Sequence, residues 1–159
     1  LQPLSLVEAI VTTKSGETSK LQALNEIIIR GNNYYTAHLS ISIDGSFIER
    51  FSGDGILIAT SAGSTAYNYS LGGSIVDPRL NLLQVTPIAP MNTTALPSDL
   101  TLEVIPDDIR NKQSSIIADG NCHVYNDIAT VKVAVSKQKI NLLRFETYDF
   151  WNKVKTKFL

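Results

Sequence analysis

The residues from Gly53 to Tyr67 carry the richest chemical pattern in this sequence of 159 residues. They read Gly-Asp-Gly, then an apolar run, then Thr-Ser-Ala-Gly-Ser-Thr-Ala-Tyr. This order predicts a strand that ends in a turn of small and hydroxyl-bearing residues, with a short helix over about Thr65 to Leu71. Backbone N–H groups and hydroxyls at such a turn can bind a polar or anionic ligand.

Four acidic or amide residues, one of them inside this stretch, could either bind a ligand or only shape the backbone. Asn25 and Glu26 offer an amide and a carboxylate on neighbouring positions, while Asp54 and Asp119 each precede a glycine. Carboxylates and amides accept hydrogen bonds from hydroxyls such as those of a ribose. The same residue types are typical of tight turns, as Ser and Thr at a helix start are typical of N-caps. The residues alone leave both interpretations open.

Alternation of apolar and polar residues dominates the rest of the chain. Period-two patterns cover 37–44, 100–104 and 130–135 and indicate half-buried strands. Shorter strands are predicted at 7–12, 26–30, 55–60, 83–88, 114–118 and 140–145. The predicted fold class is therefore mostly β: stacked antiparallel sheets resembling a β-sandwich, with one short helix after the turn and one C-terminal helix.

The C-terminal helix is predicted to begin at Asp149, a good N-cap residue. Trp151, Val154 and Phe158 fall on one of its faces. We expect this apolar face to dock onto the rest of the domain.

Composition excludes several classes of protein. The net charge of −1 does not support binding to nucleic acid or to a membrane surface, and no apolar run approaches the ~20 residues of a membrane span. Cys122 is the one cysteine, so no disulfide forms within the chain, which fits a reducing cytoplasm. The length suits one domain. Because the sequence begins at Leu1 and not at Met, we expect a fragment of a longer protein.

Several motifs, in the expected order, resemble those of NAD kinases. Residues 54–67 resemble the family's Asp-Gly, apolar run and Thr-x-x-Gly-Ser-Thr-Ala-Tyr, and Asn25-Glu26 resembles its Asn-Glu motif. Gly-Gly-Ser-Ile-Val-Asp-Pro at 72–78 and Thr-Pro-Ile-Ala-Pro at 86–90 are also similar. The matches span about residues 23–120. The resemblance implies that 1–159 is a single C-terminal NAD-binding domain of such an enzyme.

The resemblance also implies roles for individual residues. Thr65 would meet the adenine edge of NAD and Tyr67 would stack or pack against a ring. Asp54 and Asp119 would bind the nicotinamide-side ribose or the carboxamide, in part across a subunit boundary. The complete set of expected NAD-binding residues is Asn25, Glu26, Asp54, Ser64, Thr65, Ala66, Tyr67, Ser70, Ala89, Met91 and Asp119.

The chain departs from the family pattern in three places. Ala62 stands where many members have Ser or Thr, and the segment Asn92–Pro97 is shorter than the family's connection, which usually carries an Arg. The Gly-Gly-Asp-Gly-Thr motif of the family's N-terminal α/β domain, whose Asp is the expected general base, does not occur in 1–159. We therefore expect this chain to position NAD, while the absent domain supplies the base and the ATP phosphate cradle.

The implied reaction is transfer of the γ-phosphate of ATP, or of polyphosphate in some members, to the 2′-hydroxyl of the adenosine ribose of NAD, giving NADP. Mg²⁺ would accompany ATP without being held by this chain, and a cytoplasmic homo-oligomer, dimer or tetramer, is expected. The absent catalytic motif leaves open a non-catalytic β-sandwich that binds nucleotides or assembles subunits. A lipid kinase is a weaker alternative, against which Asn25-Glu26 and the Ser-Thr-Ala-Tyr run argue.

Overall fold

The computed structural model describes residues 1–33, 35–91, 96–98, 101–106, 113–145 and 147–158, with only the backbone at 96–98 and 102. The strands are β1 (Gln2–Thr13), β2 (Thr18–Ala23), β3 (Glu26–Gly31), β4 (Ala37–Ile43), β5 (Ser46–Gly53), β6 (Gly55–Thr60), β7 (Leu83–Ile88), β8 (Leu96–Ser98), β9 (Leu102–Pro106), β10 (Gln113–Ala118), β11 (Asn121–Asn126) and β12 (Ile128–Leu142). A 3-10 turn, η1 (Ala62–Thr65), precedes the short helix α1 (Tyr67–Ser70), and α2 (Phe150–Phe158) ends the described chain.

Two antiparallel sheets confirm the predicted fold class. In the described residues each sheet has six strands, in the orders β2-β1-β12-β9-β4-β5 and β11-β10-β3-β6-β7-β8. The core between them is built from alternate residues of both sheets, among them Val7 and Val131 from the first and Ile27, Ile56 and Ile116 from the second. Each such side chain contributes about 1.5–3 kcal/mol by leaving water.

The second sheet also buries part of its outer face. Every residue of β6 is buried, because Ile56 and Ile58 point into the main core while Leu57 and Ala59 join a smaller cluster with Ile28 on the other side. A strand covered on both faces has a continuous apolar sequence, as the predicted strand 55–60 has. The candidate site lies against this outer face.

The predicted strand 83–88 coincides with β7, the remaining strand predictions were confirmed with shifted ends, and one pair was merged. The strand predicted at 130–135 and the first three residues of the strand predicted at 140–145 belong to the single strand β12, whose register against β1 jumps from Val135 to Lys139, while residues 143–145 lie beyond its end. The pattern broke at this bulge, so the sequence looked like two strands. Leu100, the first residue of a predicted strand, and residues 92–95 of the short segment lie outside the described residues.

The C-terminal helix begins as predicted, but its apolar face is only partly covered. The Asp149 carboxylate accepts a hydrogen bond from the Asn152 N–H at 3.1 Å, which confirms the N-cap. Val154 is buried and the Phe158 ring lies 4.4 Å from the ring of Tyr69 on α1, while Trp151 stays 52% exposed. Within the described residues, no helix is long and apolar enough to cross a membrane.

Candidate functional site

Asn25 lies in the turn between β2 and β3 and Glu26 is the first residue of β3, and Asp119 holds this turn in place. The Asp119 carboxylate accepts hydrogen bonds from three backbone N–H groups, those of Leu24 at 2.6 Å, Asn25 at 2.8 Å and Glu26 at 3.2 Å. Asp119 opens the two-residue turn of the β10–β11 hairpin with a left-handed φ of 43°, which Asp tolerates better than most residues. Asp119 thus anchors the backbone of the predicted site, and its direct ligand contact stays a prediction.

The turn after β6 packs directly onto Asn25. The hydroxyl of buried Thr60 donates to the Leu24 carbonyl at 2.7 Å and accepts from the Gly63 N–H at 3.0 Å, while the Thr60 N–H donates to the Asn25 carbonyl at 2.9 Å. A Cβ at Gly63 would collide with the backbone of Asn25, its carbonyl oxygen first. The two sequence motifs are therefore in van der Waals contact, and a glycine is needed between them.

Gly63→Ala is expected to lower the free energy of unfolding by about 2–3 kcal/mol, because the backbone of the Asn25 turn must move to admit the methyl group. Urea denaturation of both proteins measures the difference. Gly72→Ala is the matched control, since its Cβ would meet nothing within 4 Å and only its φ of 81° is strained, which costs about 1 kcal/mol. Equal losses in the two variants would contradict the close contact.

Ser64 and Asn68 are fully buried and tie this turn to the segment after α1. The Ser64 hydroxyl donates to the Val76 carbonyl and accepts from the Val76 N–H, both at 3.1 Å. The Asn68 amide donates to the carbonyls of Ser64 at 3.3 Å and Ser74 at 3.2 Å, and its oxygen accepts from the Thr86 hydroxyl at 2.6 Å. Ser64 has no exposed surface here, and its ligand contact stays a prediction.

The start of the short helix differs from the prediction. In place of one helix over 65–71 there are η1 and α1, and neither start has a side-chain cap, so the N-cap interpretation of Ser64 and Thr65 is wrong. The N–H groups of residues 63, 64 and 66 bond within the turn, which leaves fewer free N–H groups than expected. The turn instead presents side chains: Thr65 and Ala66 are half-buried, and Tyr67 and Ser70 are exposed.

A second group of expected site residues, Asp54, Ala89 and Met91, lies at the start of β6. The Asp54 N–H donates to the Ile88 carbonyl and the Met91 N–H to the Ser52 carbonyl, both at 2.9 Å, and all three residues of the group are exposed. The interpretation of Gly-Asp-Gly as a hairpin turn is wrong, because β5 and β6 belong to different sheets. The first group lies at the other end of β6, about 20 Å away along a six-residue strand.

Glu26 is a buried acidic residue. It is 9% exposed, and burial, with a smaller effect of the Asp119 charge, raises its pKa to about 6. Its Oε2 atom is buried without a hydrogen-bond partner among the described residues. Near neutral pH this carboxylate is an acceptor in need of a donor.

The family described as ATP-NAD kinase C-terminal domain matches residues 24–145. The chain belongs to this family. The match covers every expected site residue, from Asn25 to Asp119, and so includes both groups.

Curated relatives of this chain are named NAD kinases. An NAD kinase of Finegoldia magna is 35% identical over 171 aligned residues, which cover 100% of this chain and 63% of the relative. NAD kinase 2 of Bacillus subtilis is 35% identical over 154 residues, covering 90% of this chain and 57% of the relative. The chain thus spans about three fifths of the relatives it matches.

Two solved structures have a similar fold. Yeast NADH kinase in complex with NADH superimposes with a TM-score of 0.78 at 27% identity, over 87% of this chain and 42% of that one. An NAD kinase from Archaeoglobus fulgidus in complex with ATP gives a TM-score of 0.71 at 24% identity, over 87% of this chain and 53% of that one. The latter likeness concerns the fold alone.

Sequence reasoning missed the buried polar residues that support this family's site. These are Thr60, Asn68 and Thr86, which fix the turn; Asp119 was itself an expected site residue, but its role in fixing the Asn25 backbone was not predicted. The available signal was weak: a Thr that ends an apolar strand and an Asn inside a predicted helix, where Asn is a poor helix former. Neither pattern names the hydrogen-bond partner, which is distant in sequence.

Glu26→Gln is expected to stabilise the protein without ligand at alkaline pH. Because folding raises the pKa of Glu26 from 4.5 to about 6, its stabilising contribution is complete below pH 4.5 and is lost as the pH rises through about 6. The variant should therefore gain about 1–2 kcal/mol at pH 8 and almost nothing at pH 4.5. Thermal unfolding at both pH values measures this, with the exposed Glu17→Gln as control. A gain that does not depend on pH would contradict the assignment.

Proposed function

We propose that this chain is the NAD-positioning part of an NAD kinase, which transfers the γ-phosphate of ATP to the 2′-hydroxyl of the adenosine ribose of NAD. Family membership and relatives named NAD kinase support the reaction. The structural observation that carries it is the contact of the Asn25-Glu26 segment with the Gly63 turn, which brings an amide, a carboxylate and the side chains of η1 and α1 together where β3 begins and β6 ends.

Each group in this first part of the site suits a different part of a dinucleotide. The Asn25 amide and the Glu26 carboxylate accept hydrogen bonds from ribose hydroxyls. Thr65 offers a hydroxyl to the adenine edge, half-buried Ala66 permits close approach, and exposed Tyr67 offers a ring for stacking. Because catalysis of phosphoryl transfer rests mainly on positioning and charge neutralisation, this chain would supply the positioning of the acceptor.

We propose further that the protein is a homo-oligomer in which the second group completes the site of a neighbouring subunit. The support is the separation of about 20 Å along β6, together with the exposure of Asp54 and of Met91, which is 76% exposed. An aspartate and an apolar side chain at one strand end can meet the amide and ring of a nicotinamide bound to another subunit.

The catalytic base and the ATP phosphate cradle would come from a segment outside this chain. Mg²⁺ would arrive with the ATP phosphates, which are its usual ligands in kinase sites. The lone Cys122 supports a cytoplasmic location.

Calorimetric titration of the complete protein with NAD tests the proposal, with ATP as the control ligand. Asn25→Ala is expected to weaken NAD binding at least tenfold, about 1.4 kcal/mol, and to leave ATP binding unchanged. The exposed Asn152→Ala is the matched control. NAD affinity that survives in both Asn25→Ala and Asp54→Ala would refute the site.

Subunit mixing tests the shared site. If Asp54 acts on the neighbouring subunit, mixed oligomers of the Asn25→Ala and Asp54→Ala proteins contain some intact sites and recover tight NAD binding at that fraction. If both residues act within one subunit, mixing restores nothing.

A further inference from the structure

Glu26 and Gln84 face each other across a single small residue on the outer face of the second sheet. Glu26 on β3 is paired with Ala59 on β6, and Ala59 is paired with Gln84 on β7. Directly paired residues of antiparallel strands point their side chains to the same face. All three side chains therefore lie on the face that carries Leu57 and Ile28, away from the main core.

Both polar side chains are buried and both lack a partner. Glu26 is 9% exposed and Gln84 is 6% exposed. Glu26 Oε2 and Gln84 Nε2 are the two buried side-chain polar atoms without a hydrogen bond in the described part of the chain. An unpaired buried polar group lowers the stability of the fold by about 1–3 kcal/mol. Here a carboxylate acceptor and an amide donor are both unpaired on one small patch, which suggests a common explanation.

Strand geometry allows the two to meet. Two strand spacings separate their backbones by about 9–10 Å, and both side chains are long enough to reduce this to hydrogen-bond distance or to the width of one water molecule. Ala59, which is fully buried, places only a methyl group between them.

We propose that Gln84 is the positioning residue of Glu26: because the two atoms make no direct hydrogen bond, its amide N–H donates through one water to Glu26 Oε2 and so turns the other carboxylate oxygen toward the dinucleotide. This inference rests on the proposed function only in its last step. The donor also favours the ionised carboxylate, the form that accepts hydrogen bonds from ribose hydroxyls. Gln84 would therefore act through Glu26 without touching the substrate.

The charged groups near Glu26 would not mask the effect of Gln84 on its pKa. Asp119, from the β10–β11 turn, is the charged group that acts on it and raises its pKa further. Strands β6 and β7 place Ala59 and Gln84 beside it, and η1 and α1 carry no Asp, Glu, Lys, Arg or His. Loss of the Gln84 donor is thus expected to raise the pKa of Glu26.

The test is the titration of the Glu26 carboxyl, followed by carbon-13 NMR in the complete protein without NAD and assigned from the signal missing in Glu26→Gln. Gln84→Leu is expected to raise the titration midpoint by about one pH unit, whereas the exposed Gln138→Leu leaves it unchanged. If Gln84→Leu does not fold, Gln84→Met, which keeps the length of the side chain, takes its place. An unchanged or lowered midpoint overturns the proposal.

NAD titrations separate this proposal from the proposed function. Gln84→Leu is expected to weaken NAD binding several-fold at pH 6 and to recover most of the affinity at pH 8.5, and to have no pH-dependent effect in the Glu26→Gln background. A loss that is equal at both pH values means a merely structural role and overturns the proposal. Absence of NAD binding in the unaltered protein would refute the function, while the carboxyl titration would still decide the role of Gln84.

Discussion

Asn68→Leu is expected to lower the free energy of unfolding by about 4 kcal/mol and to release α1 from the second sheet. The substitution keeps the number and branching of the side-chain heavy atoms but leaves the Thr86 hydroxyl and the carbonyls of Ser64 and Ser74 buried without a partner, at about 1–3 kcal/mol for each group. The site is close-packed, because a Cβ at Gly73 would collide with the Asn68 amide. Urea denaturation measures the loss.

The double-mutant cycle with Thr86→Val shows whether the effect comes from this network. Thr86→Val removes the same hydrogen bond from the other side, so the two losses should fall short of additivity by about 1–3 kcal/mol. Asn152→Leu, on the exposed face of α2, is expected to change stability by less than about 0.5 kcal/mol. If Asn68→Leu lowers the free energy of unfolding by less than about 1 kcal/mol, or if its loss is fully additive with that of Thr86→Val, the hydrogen bonds of Asn68 do not hold α1 on the second sheet.

The fold was predictable to the extent that its strands bury side chains. Strands β6 and β7 coincide with the predicted ranges, because each is largely buried. The missed strands are β2, β5, β8 and β11, which are the four edge strands of the two sheets. In β11 five of six side chains are exposed, so no apolar face repeats every second residue. An edge strand forms by pairing its backbone with one neighbouring strand. Its own side chains therefore show little of the apolar alternation from which a strand is predicted.

The residue types of the site were predictable from the sequence, but the contacts between these residues were not. The motif around Asn25 and the motif around Thr65 were both expected to bind one ligand, and Gly63 shows why they can act together: its missing side chain lets one turn rest on the other. The separation of Asp54 from this group follows from the six-residue strand β6 between them, whereas the crossing of the chain from one sheet to the other at Asp54 is encoded by no local pattern. Likewise, nothing near Asp119 in the sequence shows that its carboxylate binds backbone 93–95 residues away.

Asp119→Ala is expected to cost about 3 kcal/mol of stability and to weaken NAD binding at least tenfold. The variant leaves the N–H groups of Leu24, Asn25 and Glu26 without their acceptor, and a carboxylate that accepts from backbone N–H groups makes charge-assisted bonds, about twice as strong as neutral ones. The freed turn no longer holds the Asn25 amide and the Glu26 carboxylate in the orientation that a ribose needs. Urea denaturation and NAD calorimetry on the complete protein measure the two effects.

Asp127→Ala is the matched control, because Asp127 also has a left-handed φ, 51°, in a turn between strands, and its carboxylate makes no hydrogen bond to the described residues. The stability that Asp127→Ala loses therefore measures the cost of replacing a turn-forming Asp by Ala at a left-handed φ. NAD binding should stay unchanged in this variant. Asp119→Asn separates charge from shape: it keeps one acceptor oxygen but removes the negative charge beside Glu26, so the pKa of Glu26 should fall while burial keeps it above its ordinary value. Equal losses in Asp119→Ala and Asp127→Ala would mean that the three backbone hydrogen bonds do not build the site, and the NAD-binding role of the Asn25 turn would then lack its structural support.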